Sequence, residues 1–394
     1  MFIFCNFTSI YVPFCIEMIK FNTDMRKVLL LMSILVSAFG NQAMAAKADT
    51  IVVNNITYTV VETTATVVAK KSPKYSGEIV IPNTVSYTNP ETEVTTTYTV
   101  TTIGKNAFQA CTNLKKVTLP ATLTTINEGA FNGCSTLDSL FIPAGVTAMP
   151  KNTCLDCKKL KVLSLPATLT SIGEGAFSNC VAITRIEVPE GVTTIGKNAF
   201  NGDIELRTLT LPTTLETIAE GACQKCSSLT KIEIKGTVAT IPKNAFNGCA
   251  MMRGAVLPET VTAINEAAFL GCSVLASINI PSTVTKIDKN AFKDCTALAS
   301  AEIPASLSTL GESAFANCEA LPTVNIPVGV SKINASTFIN CKGMKTLTFT
   351  EKVSEIGKQA FSGCTSLESV ALGTKISKLN ESAFEGCSSL KTLT

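Results

Sequence analysis

Two cysteine pairs, Cys154-x-x-Cys157 and Cys223-x-x-Cys226, have the spacing of a redox dithiol or of half a zinc site. Three glutamates, Glu187, Glu233 and Glu302, stand at equivalent places in a recurring pattern. Glu187 and Glu233, stacked two units apart, come roughly 9–10 Å from one another, near the upper limit for an inverting glycosidase pair. The 394 residues include no histidine. That removes Ser-His-Asp and Cys-His catalysis and every histidine-bearing metal site. The chain has 16 cysteines, a number that in an exported protein normally signals disulfides.

What positions these residues is a repeat. Counting from Ile103, an aliphatic residue or Met recurs every 23 positions: Ile103, Ile126, Met149, Ile172 and on to Ile356 and Leu379, with no insertion or deletion. A fixed period of about 20–30 residues is the mark of a solenoid, whose coils bury their apolar faces on one another. Within a coil, Phe108, Cys111 and Leu114 and their equivalents follow at spacings of three and five, which predicts a short helical or 3₁₀ segment with one buried stripe. The period then becomes two, as in Val117 and Leu119 between Lys116 and Thr118, and predicts a short strand closed by Pro120 or its equivalent. The fold class is therefore an α/β repeat solenoid of thirteen coils over 103–394, curved because helical segments are wider than strands, with the strands on the concave side.

The repeat also reinterprets the reactive residues. Twelve cysteines share one column from Cys111 to Cys387, with Asp203 the sole exception, and most sit between Ala-Phe and an aliphatic residue. They read as free thiols packed as small hydrophobes, and bridging neighbouring coils would demand strain from parallel Cβ vectors. Cys154 and Cys223 fall in the Phe column, so the two Cys-x-x-Cys pairs are core variants three coils apart, too distant to share a metal. Glu187, Glu233 and Glu302 lie on an open strand face that gives no burial to raise a carboxyl pKa. No catalytic residue, metal or cofactor is expected.

The unit L-x-x-V-x-L-P-x-x-L-x-x-I-x-x-x-A-F-x-x-C-x-x resembles the BspA-like class of bacterial leucine-rich repeats over residues 103–394, and in part over the segment before them. The resemblance implies a secreted or surface-exposed protein that acts in adhesion. It names no ligand.

Ahead of the repeats, Arg26-Lys27, the apolar run Val28–Phe39 and Ala43-Met44-Ala45 make a secretory signal peptide over 25–45, with Ala46 as the first exported residue. The run falls short of the roughly 20 residues that span a bilayer, so no stable membrane insertion is expected after cleavage. Residues 1–24 fit nothing in this scheme, and Met25 is the more natural start. Residues 46–102 read as an N-terminal β cap with a first half-repeat: Ile79, Ile81, Pro82 and Val85 match the strand columns, and an inserted hairpin surrounds Asn89-Pro90. The sequence stops in the strand of the thirteenth coil, at Leu393-Thr394, where an open edge would allow end-to-end self-association.

Function then falls to the strand-face columns that the fold does not need. Net charge +3 and 46% hydrophobic content argue for a folded chain without the long-range field of a nucleic-acid binder. Positive charge nevertheless gathers on the strand face of coils one to seven, at Lys115, Lys116, Lys161, Arg185, Arg207, Lys231 and Arg253, with Phe141 apolar among them. These eight residues are the candidate ligand-binding set for an extracellular protein or glycan. The alternative is a self-associating structural component of the cell surface.

Overall fold

The computed structural model describes residues 48–394; the leader and the segment before it lie outside the described residues. The chain opens with strands β1 (Asp49–Val53), β2 (Ile56–Val61), β3 (Thr64–Val67), β4 (Gly77–Val80), β5 (Thr84–Thr88) and β6 (Thr95–Ile103). One sheet runs β1-β2-β3-β6-β5, and β8 (Thr125–Ile126) continues it from β6. The hairpin at Asn89-Pro90 forms between β5 and β6, antiparallel from Thr84↔Thr99 to Thr88↔Thr95. Its loop is tied by the Asn89 side chain, which accepts the Glu91 N–H at 2.8 Å.

Most coils then give two short strands that pair in parallel with neighbouring coils; in coil nine the first is reduced to an isolated bridge from Ser300 to Ser277. In the first ladder, β4 is followed by β7 (Leu114–Thr118), β9 (Ser139–Phe141) and β11 (Val162–Ser164). Register is strict, as in Val162↔Ser139, Leu163↔Leu140 and Ser164↔Phe141. The middle residue of each triplet points inward and its neighbours point out, as a period of two requires. The second ladder uses two-residue strands such as β10 (Ala148–Met149), whose second residue is the buried start of a coil.

The expected helical segment is absent: the described residues contain no helix. Two residues per coil explain this. Asn106 and its equivalents, and Ala110 and its equivalents, have φ between 53° and 80° in all thirteen coils. A left-handed residue every few positions breaks a right-handed helix, and Asn and Gly tolerate that conformation best. The segment instead alternates two kinds of hydrogen bond. Ala107, Gln109 and Cys111 donate three residues back, to Gly104, Asn106 and Phe108, while Asn106, Phe108 and Ala110 donate across to Glu128, Ala130 and Asn132 of the next coil. The spacing of apolar residues is the same in both arrangements, so the buried stripe survives although the helix does not.

Inside the stack, Phe rings of coils seven to thirteen lie face to face with centroids 5.1–5.5 Å apart, from Phe246 to Phe384. Every described cysteine is free, and all but the half-buried Cys387 are buried. From Cys134 onward the column thiols donate to the Phe-column carbonyl of the preceding coil, for example Cys134 to Phe108 at 3.1 Å and Cys226 to Phe200 at 3.0 Å. The first ladder is divided into four sheets, and the last division falls at Pro322. Where Ala276 and Ala299 donate N–H groups one coil back, proline has none, and a new sheet begins at Thr323.

Asp203 replaces the thiol in coil five. Its Oδ1 accepts the Cys180 N–H at 2.8 Å, and its fully buried Oδ2 has no partner. Burial holds this carboxyl well above the usual carboxylate range, so the folded chain keeps the proton. The unfolded chain releases it near pH 4, so the position weakens the fold progressively as pH rises above that. Asp203→Cys is expected to stabilise the protein at pH 7 by about 1–3 kcal/mol, with the gain shrinking toward pH 4 in thermal or urea unfolding. No gain at pH 7, or the same gain at pH 4, would contradict this account of the site.

Candidate binding interface

The two outward positions of the first-ladder strands form parallel rows along the stack. One row holds Lys116, Ser139, Val162, Arg185 and Thr208, the other Val80, Thr118, Phe141, Ser164 and Glu187. Lys115 and Lys161 flank the first row. All eight residues of the candidate set are exposed on this side, but they do not form a single basic field. Lys161 meets Asp138 at 3.4 Å, Arg185 meets Glu187 at 3.5 Å, Arg207 meets Glu205 at 3.5 Å and Lys231 meets Glu233 at 3.3 Å. Such exposed pairs add little stability, yet each cancels the charge that would attract an anionic partner from a distance. Among the described residues, Lys115, Lys116 and Arg253 have no carboxylate within 4.0 Å.

The first three coils gain what the middle coils lose. Val80 is 68% exposed, Phe141 57% and Val162 47%, which places an apolar cluster on the face of β4, β7, β9 and β11. Lys158 and Lys159 are exposed beside it and add charge next to Lys161. Val80 was missed because its segment precedes the regular repeats. The signal was present, since Ile79 and Ile81 alternate around it and put it in the Thr118 column.

The reactive residues lie elsewhere. Cys154 and Cys157 are buried, and hydrogen bonding to the Cys157 thiol together with burial holds the Cys154 thiol well above its usual range. For Cys226 the bond to Cys223 and burial act in the same direction. Protonated, enclosed thiols are poor nucleophiles. Among the described residues, no group of three or more Cys, Asp or Glu side chains is placed to hold a metal ion. Glu187 and Glu233 are exposed and each is occupied by an ion pair. A shallower feature occurs at coils six to nine, where Gly254 and Ala255 stand in positions held by larger residues in most coils. There an open groove of about 610 Å³ is bordered by Lys231, Ser277, Ser300 and Glu302.

The opposite, turn-forming side is engaged with itself. Lys105–Glu128, Lys151–Glu174, Lys197–Glu220, Lys243–Glu266, Lys289–Glu312 and Lys358–Glu381 join one coil to the next at 2.8–3.2 Å. Beside them Asn106 lies over Gly129, where a Cβ would collide with the asparagine side-chain oxygen.

The model of the BspA type leucine rich repeat region matches in six copies, over residues 79–203, 170–299 and 286–394. The chain belongs to the BspA-type leucine-rich-repeat family. A crystal structure of a leucine-rich repeat protein from Bacteroides ovatus is similar to this BspA-type chain with a TM-score of 0.74 and 29% identity, covering 87% of this chain and 88% of that one. A leucine rich cell surface protein from Faecalibacterium prausnitzii is similar with a TM-score of 0.55 and 25% identity, over 88% of this chain and 94% of that one. No curated protein matches the chain.

If the strand face carries no structural duty in this BspA-type stack, Phe141→Ser and Val162→Ser should leave the melting temperature essentially unchanged. Phe131→Ala, in the buried Phe column, should cost about 3–5 kcal/mol in the same unfolding measurement. Comparable losses at Phe141 and Phe131 would assign Phe141 to the fold and remove it from the candidate interface.

Proposed function

We propose that the protein is a non-enzymatic binding protein of the bacterial surface, which holds a macromolecular ligand, a matrix protein or glycan, against its strand face. The observation that carries the reading is the division of labour between the two sides. On the turn side, Lys–Glu pairs run from coil to coil, whereas on the strand side most ion pairs close within one coil and the exposed residues vary along the rows. Repeat arrays present extended faces of this kind to partners.

Three further observations support the reading. The Faecalibacterium relative is a cell surface protein, and Arg26-Lys27 with the apolar run to Phe39 would export this chain. Ring centroids on the turn side are 5.1–5.9 Å apart, against roughly 4.8 Å for paired strands, a mismatch that bends the stack and makes the strand face concave. On this reading the segment 48–102 would serve as the cap of the array, for which β3 pairs parallel to β6 and the Tyr75 ring lies 4.9 Å from Phe108.

The test is a binding screen of the purified protein against extracellular matrix proteins and oligosaccharides, with the solution mass followed over the same concentrations. At least one ligand should bind saturably to a monomer. Charge reversal at Lys116, Arg185, Arg207 and Arg253 should weaken it, and Lys243→Ala on the turn side should not. Binding lost only with the turn-side change would refute the assignment of the face. A mass that rises with concentration while no ligand binds would favour the self-associating alternative.

A further inference from the structure

The reading of the strand face as an interface can be taken to the kind of partner that fits one part of it. We propose that β4, β7, β9 and β11 form a docking site for an acidic polypeptide segment that also carries apolar side chains. The inference rests on the strand face being the binding side.

The first ground is apolar exposure. Val80, Thr118, Phe141 and Ser164 follow one another across four parallel strands, a row about 14 Å long at the usual strand spacing. Val162 stands two positions from the row, on the neighbouring strand beside Phe141. Val80, Phe141 and Val162 are each about half exposed or more, although polar residues fill the same columns in most other coils. Grouped apolar side chains of this kind mark an interaction surface more often than isolated ones do. Of the three, Phe141 has the size and rigidity of an anchor.

The second ground is charge. Lys115 and Lys116 in coil one, and Lys158, Lys159 and Lys161 in coil three, border the apolar row on the side where the strands begin. Lys161 is bonded to Asp138, and Glu78 lies opposite Lys116 in the strand register. Five lysines thus share this border with two carboxylates. Asp156 is half-buried and accepts from the Asn179 amide, and Glu187, next along the Val80 row, is paired with Arg185.

Together the two features form an amphipathic strip with an apolar lane and a basic lane side by side. An extended chain lying along the stack places alternate side chains on opposite edges. Carboxylates on one edge would meet the lysines, and apolar groups on the other would cover Val80 and Phe141, with Val162 extending the apolar contact into the Lys116 row. A polypeptide fits better than a glycan here. The polar groups beside Phe141 are the single hydroxyls of Thr118, Ser139 and Ser164, whereas neighbouring sugar hydroxyls are gripped by planar amide, carboxylate or guanidinium groups.

The experiment measures binding of the full chain to short extended peptides and to an anionic oligosaccharide, hyaluronate. The peptides alternate Glu with Phe or Leu, Lys with Phe or Leu, and Glu with Ser. The acidic apolar peptide should bind saturably, the basic one should not, and the acidic serine peptide should bind at least about tenfold more weakly. Phe141→Ser and the pair Lys115→Glu, Lys116→Glu should each reduce binding by about tenfold or more, and Lys243→Ala should leave it unchanged. The unaltered chain failing to bind the acidic apolar peptide overturns the proposal. So does equal binding of the basic peptide, insensitivity to both sets of changes, or tighter binding of hyaluronate that is lost with Phe141→Ser. If the screen yields a ligand whose binding ignores Phe141 and Lys116 but needs Arg253, this inference fails while the broader reading of the face stands.

Discussion

The structure depends on hydrogen bonds that pass from coil to coil on the side without strands. In every coil two left-handed residues turn alternate N–H groups outward along the stack, so Asn106, Phe108 and Ala110 each donate to the coil that follows. Buried backbone groups must find partners, and a solenoid without a helix has only the neighbouring coil to offer them. The Phe-column carbonyl serves twice: Phe108 accepts from Cys111 in its own coil and from the Cys134 thiol in the next. A small donor is needed at that place, with no room for a larger side chain. Cysteine meets both conditions, which accounts for its recurrence better than disulfide chemistry does.

From this constraint follows the contrast between the two faces. Three inter-coil N–H bonds, the stacked Phe rings and the Lys–Glu pairs concentrate the stack's cohesion on the turn side. The strand side keeps its register through short ladders whose outward side chains are free to vary. Interruption there is tolerated: Pro322 removes a ladder bond between coils nine and ten, while on the turn side Phe292 still donates to Ala314 and Phe315 to Thr337.

Much of this was legible in the sequence, and the exceptions have physical causes. The columns gave the coil, the strands, the inward thiols and the hairpin at Asn89-Pro90. The helix was misread because apolar residues three to five apart mark a buried stripe without saying which backbone carries it. The correcting signal lay in the polar columns, where Asn106, Asn152, Asn198 and Asn244 alternate with Gly129, Gly175 and Gly221, residues that favour positive φ. The same alternation of coils places Lys105 and Lys151 against Glu128 and Glu174, a pairing visible only when two coils are read as one unit. On the candidate face, the positions of the basic residues are legible in the sequence but their partners are not. Arg185 and Glu187 are two residues apart on one strand, so both point the same way and neutralise each other.

The central claim, that coil-to-coil bonding encloses the cysteine column, is tested most directly by thiol reactivity. With Cys5 and Cys15 replaced by serine, the folded protein should show at most one reactive thiol, that of Cys387, toward an aromatic disulfide reagent, and all fourteen should react once urea unfolds it. Burial raises the thiols of Cys134, Cys249, Cys295 and Cys318 and pushes Cys272 up to about 12, so raising the pH within the stable range should release few more. Rapid reaction of several column thiols in the folded protein would contradict the account.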